Sequence, residues 1–112
     1  MKTTTTIMVA LLALSFASVA AADIWNDGLN GPEAVRYDPE LDVFFVSNFN
    51  EEAAGDANGF VSKLAPDGAV LVARHMVGTE RKPFHGGRGM YIDEPGLWVV
   101  DAGGVHLFDR SS

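Results

Sequence analysis

A short pattern of strand-like runs occurs twice in this chain, and that repetition constrains the fold more than any other feature. Glu33-Ala34-Val35-Arg36-Tyr37-Asp38 aligns with Arg88-Gly89-Met90-Tyr91-Ile92-Asp93. Val43-Phe44-Phe45-Val46-Ser47 then aligns with Leu97-Trp98-Val99-Val100-Asp101 after one deletion in the turn, and Phe60–Leu64 aligns with Val105–Asp109 across a shorter loop. Each unit reads as a small apolar strand, an Asp turn, a buried aromatic and aliphatic strand, a loop, and an alternating strand. A unit of up to four strands repeated at this interval is the pattern of a β-propeller blade.

The local signals agree with strands. The run at Val43–Ser47 is apolar, too short for a helix, and bounded by Pro39 and Asn48. Gly59–Leu64 alternates with period two, which places Phe60, Ser62 and Leu64 on one face and Val61 and Lys63 on the other. Pro66-Asp67-Gly68 is a tight-turn signature, because Pro presets the entry dihedral and Gly accepts a positive φ. A hairpin of Phe60–Leu64 with Val70–Arg74 follows from it. Gly103-Gly104 turns the chain into the last run, and no helical periodicity of useful length occurs beyond residue 22. The expected fold class is all-β: a partial β-propeller of about two four-stranded antiparallel blades, following an N-terminal signal peptide.

That leader is expected over residues 1–22, where Lys2 precedes the apolar run from Ile7 and Ser18, Ala20, Ala21 and Ala22 offer small-residue cleavage sites. The apolar stretch is short against the ~20 residues of a membrane-spanning helix, so no stable membrane anchor is expected after cleavage. Residues 23–112 then form the two-blade segment, which reads as truncated, and a periplasmic or secreted location follows. With no cysteine, disulfides, thiolate zinc sites and cysteine nucleophiles are excluded. The 15 acidic residues against 8 Lys and Arg give a net charge of −7, opposite to what a nucleic-acid partner requires.

A propeller closes with typically four to eight blades, so two blades are expected to leave Phe44, Phe45, Trp98 and Val99 without partners. A homo-oligomer that completes the ring in trans is one expected remedy.

Gly31–Asp38, Val46-Ser47-Asn48 and Asn58–Gly68 together resemble the opening blade of exported gluconolactonase-like propellers. That is the senescence-marker-protein, gluconolactonase and luciferin-regenerating-enzyme group, with NHL-repeat and strictosidine-synthase-like relatives. Gly89–Asp93 and Leu97–Asp101 are similar to its second blade. The resemblance covers Trp25–Asp109, about the first third of a family member. It implies a six-bladed ring with a divalent cation, calcium or zinc, in the central channel of the full-length parent, acting on a lactone or sugar-derived ligand by metal-dependent lactone or ester hydrolysis. Glu33 falls at the position of the first metal ligand on the innermost strand. The family's remaining ligands, an Asn and an Asp, belong to later blades, so this chain alone is expected to hold no ion. A non-catalytic propeller serving as a ligand- or protein-binding scaffold is the alternative, and no catalytic residue is assigned.

Other residues carry weaker expectations. Asn48 stands at a strand end on the same rim as Glu33. The acidic loop Asn50–Gly59 reads as a solvated insertion, because Phe60 and Val61 occupy positions where an EF-hand needs an oxygen ligand and Gly. Gly86-Gly87-Arg88-Gly89 precedes a strand and lacks the Lys-Ser/Thr of a phosphate loop, so it reads as an inter-blade bend with His85 on the channel side. His75, His85 and His106 fall on different expected strands at spacings that indicate no metal site. No Ser stands in a nucleophile-elbow context.

Overall fold

The computed structural model describes residues 3, 23–25, 27–50 and 57–111. The expected leader, residues 1–22, lies outside them apart from Thr3, as does most of the acidic loop, residues 51–56. Among the described residues the fold is all-β, with no helix long and apolar enough to cross a membrane.

Seven strands form two antiparallel meanders. The first sheet runs in chain order through β1 (Pro32–Asp38), β2 (Val43–Asn48), β3 (Phe60–Leu64) and β4 (Val70–Val77). The second contains β5 (Met90–Ile92), β6 (Leu97–Val100) and β7 (Val105–Phe108). The aligned halves of the sequence thus have the same order of strands, with β1, β2 and β3 corresponding to β5, β6 and β7. Their counterpart aspartates do corresponding work. Asp38 Oδ1 accepts the Glu40 and Leu41 amides after β1, and Asp93 Oδ1 accepts the Gly96 amide and the Trp98 Nε1 after β5. A short Asp side chain supplies the turn with an acceptor that the extended backbone does not offer.

The hairpin is as the Pro66-Asp67-Gly68 signal indicates, with β4 extended to Val77. Gly68 donates its amide to the Ala65 carbonyl at 2.9 Å and adopts φ +89°. A Cβ there would also lie 2.3 Å from the Trp25 ring, so both conformation and contact require glycine. The register shifts beside Lys63, marking a bulge that bends β4 over β3.

The two sheets share one core. Val43, Phe45, Val61 and Met76 from the first meet Met90, Leu97 and Val99 from the second, with Phe84 of the connection between them. Phe45 and Val99 are fully buried, so the expectation that they lack partners is corrected: the sheets cover each other's inner faces. β3 alternates as expected: Val61 lies in the shared core, with Phe60, Ser62 and Leu64 on the opposite face, and all four side chains are buried. The glycine run is the crossing between sheets, and at Gly87 a Cβ would lie within about 3 Å of Phe84, Ser47 and Val99. Ser47 Oγ donates to the Arg88 carbonyl at 2.7 Å, and β1 approaches β5.

What remains open is the outer face of the second sheet. The register pairs Tyr91 with Trp98 and Trp98 with Leu107, and pairs Val100 with Val105. These five side chains therefore share the face opposite the core. Four of them are well exposed, from Leu107 at 46% to Tyr91 at 66%.

Candidate functional site

Glu33 is set apart by the backbone around it. Pro32 pairs with Asn48 and Ala34 with Ser47, which leaves Glu33 as the extra residue of a bulge in β1. A bulge re-aims its side chain relative to the rest of the strand, and bulges are common beside functional sites. The Glu33 side chain is exposed, forms no hydrogen bond among the described residues, and borders a shallow recess with Pro32, Ala34, Val35 and Val46. Asn48, expected on the same rim, is instead fully buried. Its Oδ1 accepts the Asn30 amide at 2.9 Å, and its Nδ2 donates to the Val46 carbonyl and to Ser62 Oγ. That residue ties the incoming segment to the sheet and is enclosed within it.

Among the described residues no three His, Asp or Glu side chains stand close enough to hold a metal ion. A calcium ion takes six to eight oxygen ligands, and among the described residues Glu33 has no such set around it.

A concavity of about 830 Å³ lies elsewhere. It runs between the β4–β5 connection, with Val77, Thr79, Lys82, Pro83 and His85, and the hairpin end and strand Gly103–Phe108. Behind it sits Asp101, 6% exposed and aligned with Ser47 in the repeat. One oxygen, Oδ1, accepts the Gly103 and Gly104 amides at 2.7 and 2.8 Å. The other, Oδ2, accepts the His85 amide and contacts His106 Nε2, each at 2.8 Å. Burial by itself would push this carboxyl up, but the His85 and Gly103 amides and the His106 ring outweigh it, and the pKa lies below the usual Asp value. The arrangement fixes the His106 ring in the cleft wall, where Phe84 meets it edge-on at 5.0 Å between centroids.

Sequence spacing did not bring His85 and His106 together. Their common partner is the signal that would have done so: an Asp at a strand end, two residues before Gly103-Gly104, is a strong acceptor for turn amides. His75 stands apart, stacked on Phe45 at 6.0 Å, with its buried Nε2 lacking a hydrogen-bond partner among the described residues. Its pKa is lowered by burial first and by the Lys63 charge second.

No family model, no curated protein and no solved structure matches this chain.

Proposed function

We propose that the chain builds two adjoining blades of an exported gluconolactonase-like propeller, with Glu33 as one of several channel ligands contributed by different blades. The observation that carries this reading is the β1 bulge, which singles out the one carboxylate that the family resemblance places at the metal. The repeated meander and the shared core between the sheets are consistent with a blade pair. The complete ring would hydrolyse lactones or related esters with the help of a divalent cation. Its other ligands would come from further sheets, other copies of the chain among them, and no catalytic step is assigned to this segment.

Paramagnetic broadening by Mn²⁺ in an NMR spectrum of the full chain tests the role of Glu33. Preferential broadening around Glu33, abolished by Glu33→Gln, is expected. Equal broadening at Glu40, Glu80 and Glu94 would remove the special status of Glu33. A second reading, a binding scaffold without chemistry, is favoured by the open face of Tyr91, Trp98, Val100, Val105 and Leu107, because exposed apolar patches mark interaction surfaces. Lactone hydrolysis by an assembled form, lost with Glu33→Gln, would decide against the scaffold.

A further inference from the structure

The dipeptide Asn-Gly occurs twice, at Asn30-Gly31 and at Asn58-Gly59. In such a pair the glycine nitrogen can attack the side-chain amide carbon of the asparagine, because glycine has no Cβ to block the approach. The N–Cγ bond forms, the Cγ–Nδ2 bond breaks, and ammonia leaves with the proton of the attacking nitrogen. Water then opens the cyclic imide at either carbonyl, which turns the asparagine into aspartate or isoaspartate. The reaction consumes one water, releases one ammonia and needs no other reactant. It does need a glycine nitrogen that is free to turn towards its neighbour.

The fold treats the two pairs differently. The Gly59 nitrogen donates to the Phe84 carbonyl at 3.0 Å, and the Asn58 carbonyl accepts Asn50 Nδ2 at 3.0 Å, so both ends of that peptide are held. Gly59 is buried, a Cβ on it would collide with the Gly86 backbone, and Asn58 Oδ1 is buried as well. At the other pair only the carbonyl end is held, by the Asn50 amide at 3.0 Å. The Gly31 nitrogen and the half-buried Asn30 side chain have no hydrogen-bond partner among the described residues.

We propose that Asn30 is a site of spontaneous deamidation in the folded chain, and that the fold protects Asn58 from the same reaction. The change at Asn30 acts on the segment that enters β1. Asn48 Oδ1 holds the Asn30 amide and the Phe49 amide holds the Gly31 carbonyl. Isoaspartate inserts a methylene into the main chain between these two anchors, so both bonds cannot keep their present geometry. Either product also adds a negative charge close in sequence to Glu33. The assignment depends neither on Glu33 as a ligand nor on a cation.

Peptide mapping by mass spectrometry, after incubation of the full chain in mildly alkaline buffer made with H2¹⁸O, tests it. The label enters only when water opens the imide, which separates new conversion from any already present. In the folded chain, conversion at Asn30 is expected to be at least about tenfold faster than at Asn58, where a buried hydrogen bond must first open. In urea the two sites should convert at similar rates, since their dipeptides are identical. Asn30→Gln, which keeps the backbone bond to Asn48 but closes a larger ring far more slowly, should remove the label from that peptide. Conversion at Asn58 that equals or outruns Asn30 in the folded chain overturns the proposal. So does equal protection of both sites by the fold.

Discussion

A single oxygen of Asp101 accepts the His85 amide and contacts the His106 ring nitrogen, each at 2.8 Å, so one buried carboxylate positions both histidines of the cleft. The β4–β5 connection and the β6–β7 turn are thereby joined through one side chain, beside the backbone bonds that Arg88 and Gly89 make with Val100.

Asp101→Ala should cost about 1–3 kcal/mol, because it removes the acceptor of the His85, Gly103 and Gly104 amides and the partner of the His106 ring. Asp101→Asn should recover part of this, since its carbonyl can still accept the Gly103 and Gly104 amides. Urea denaturation provides the check, and an unchanged midpoint for the Ala variant would refute the central place given to this side chain.

Acid should weaken the fold through two buried aspartates. Burial pushes Asp38 up, but the Arg110 guanidinium and the Leu41 and Glu40 amides prevail and hold its pKa below 3.8; Asp101 is likewise held below 3.8. The unfolded chain therefore takes up these protons first as the pH falls. Their stabilisation is present above about pH 4 and is lost as pH drops through the folded values. An Asp38→Asn, Asp101→Asn double variant should show a flatter fall in stability below pH 4 than the parent.

His75 works in a separate window. Its folded pKa lies below the usual 6.5, so the unfolded state binds the extra proton. The stability contribution of neutral His75 is complete above about pH 6.5 and declines as pH falls below it. His75→Phe, which keeps a ring against Phe45, should flatten the stability profile between about pH 6.5 and 5. An unaltered slope would place the titrating group elsewhere.

Phe84 is the side chain that both sheets share. It is fully buried and meets Phe108 edge-on at 5.4 Å between centroids. Phe84→Ala should cost about 3–5 kcal/mol and uncouple the sheets, so that the first retains hydrogen-exchange protection at denaturant concentrations where the second has lost it. Parallel loss in both sheets would show that the rest of the core suffices to couple them.

The outer face of the second sheet should bind the dye ANS in the folded state, because Tyr91, Val100, Val105 and Leu107 form one exposed apolar surface. Leu107→Lys should reduce that fluorescence while changing stability by less than about 0.5 kcal/mol, as expected for a surface position. Dye binding that survives this change would locate the hydrophobic surface elsewhere.

The strands were legible because their signals are local. Val43–Ser47 and Leu97–Val100 are apolar runs between turn residues, and Pro66-Asp67-Gly68 sets the hairpin turn through three adjacent residues. Alternation sorted Phe60 and Val61 onto opposite faces of β3, but that both are buried depends on what covers each side of the sheet. Asn48 gives no sequence sign of its burial, because the amide that it accepts comes from Asn30, across the sheet. The β1 bulge at Glu33 arises from a mismatch between two strands and is absent from either alone.

By itself, then, the sequence determined the all-β class, the two aligned meanders and the turns that close them, all of which depend on residues a few positions apart. Tertiary structure decided that Phe45 and Val99 are covered, that Tyr91 and Leu107 are not, and that His85 and His106 meet at Asp101. Those outcomes depend on how one sheet lies on the other. Burial and hydrogen bonding between distant segments are properties of that packing, and nothing local in the chain encodes which of two apolar faces finds a partner.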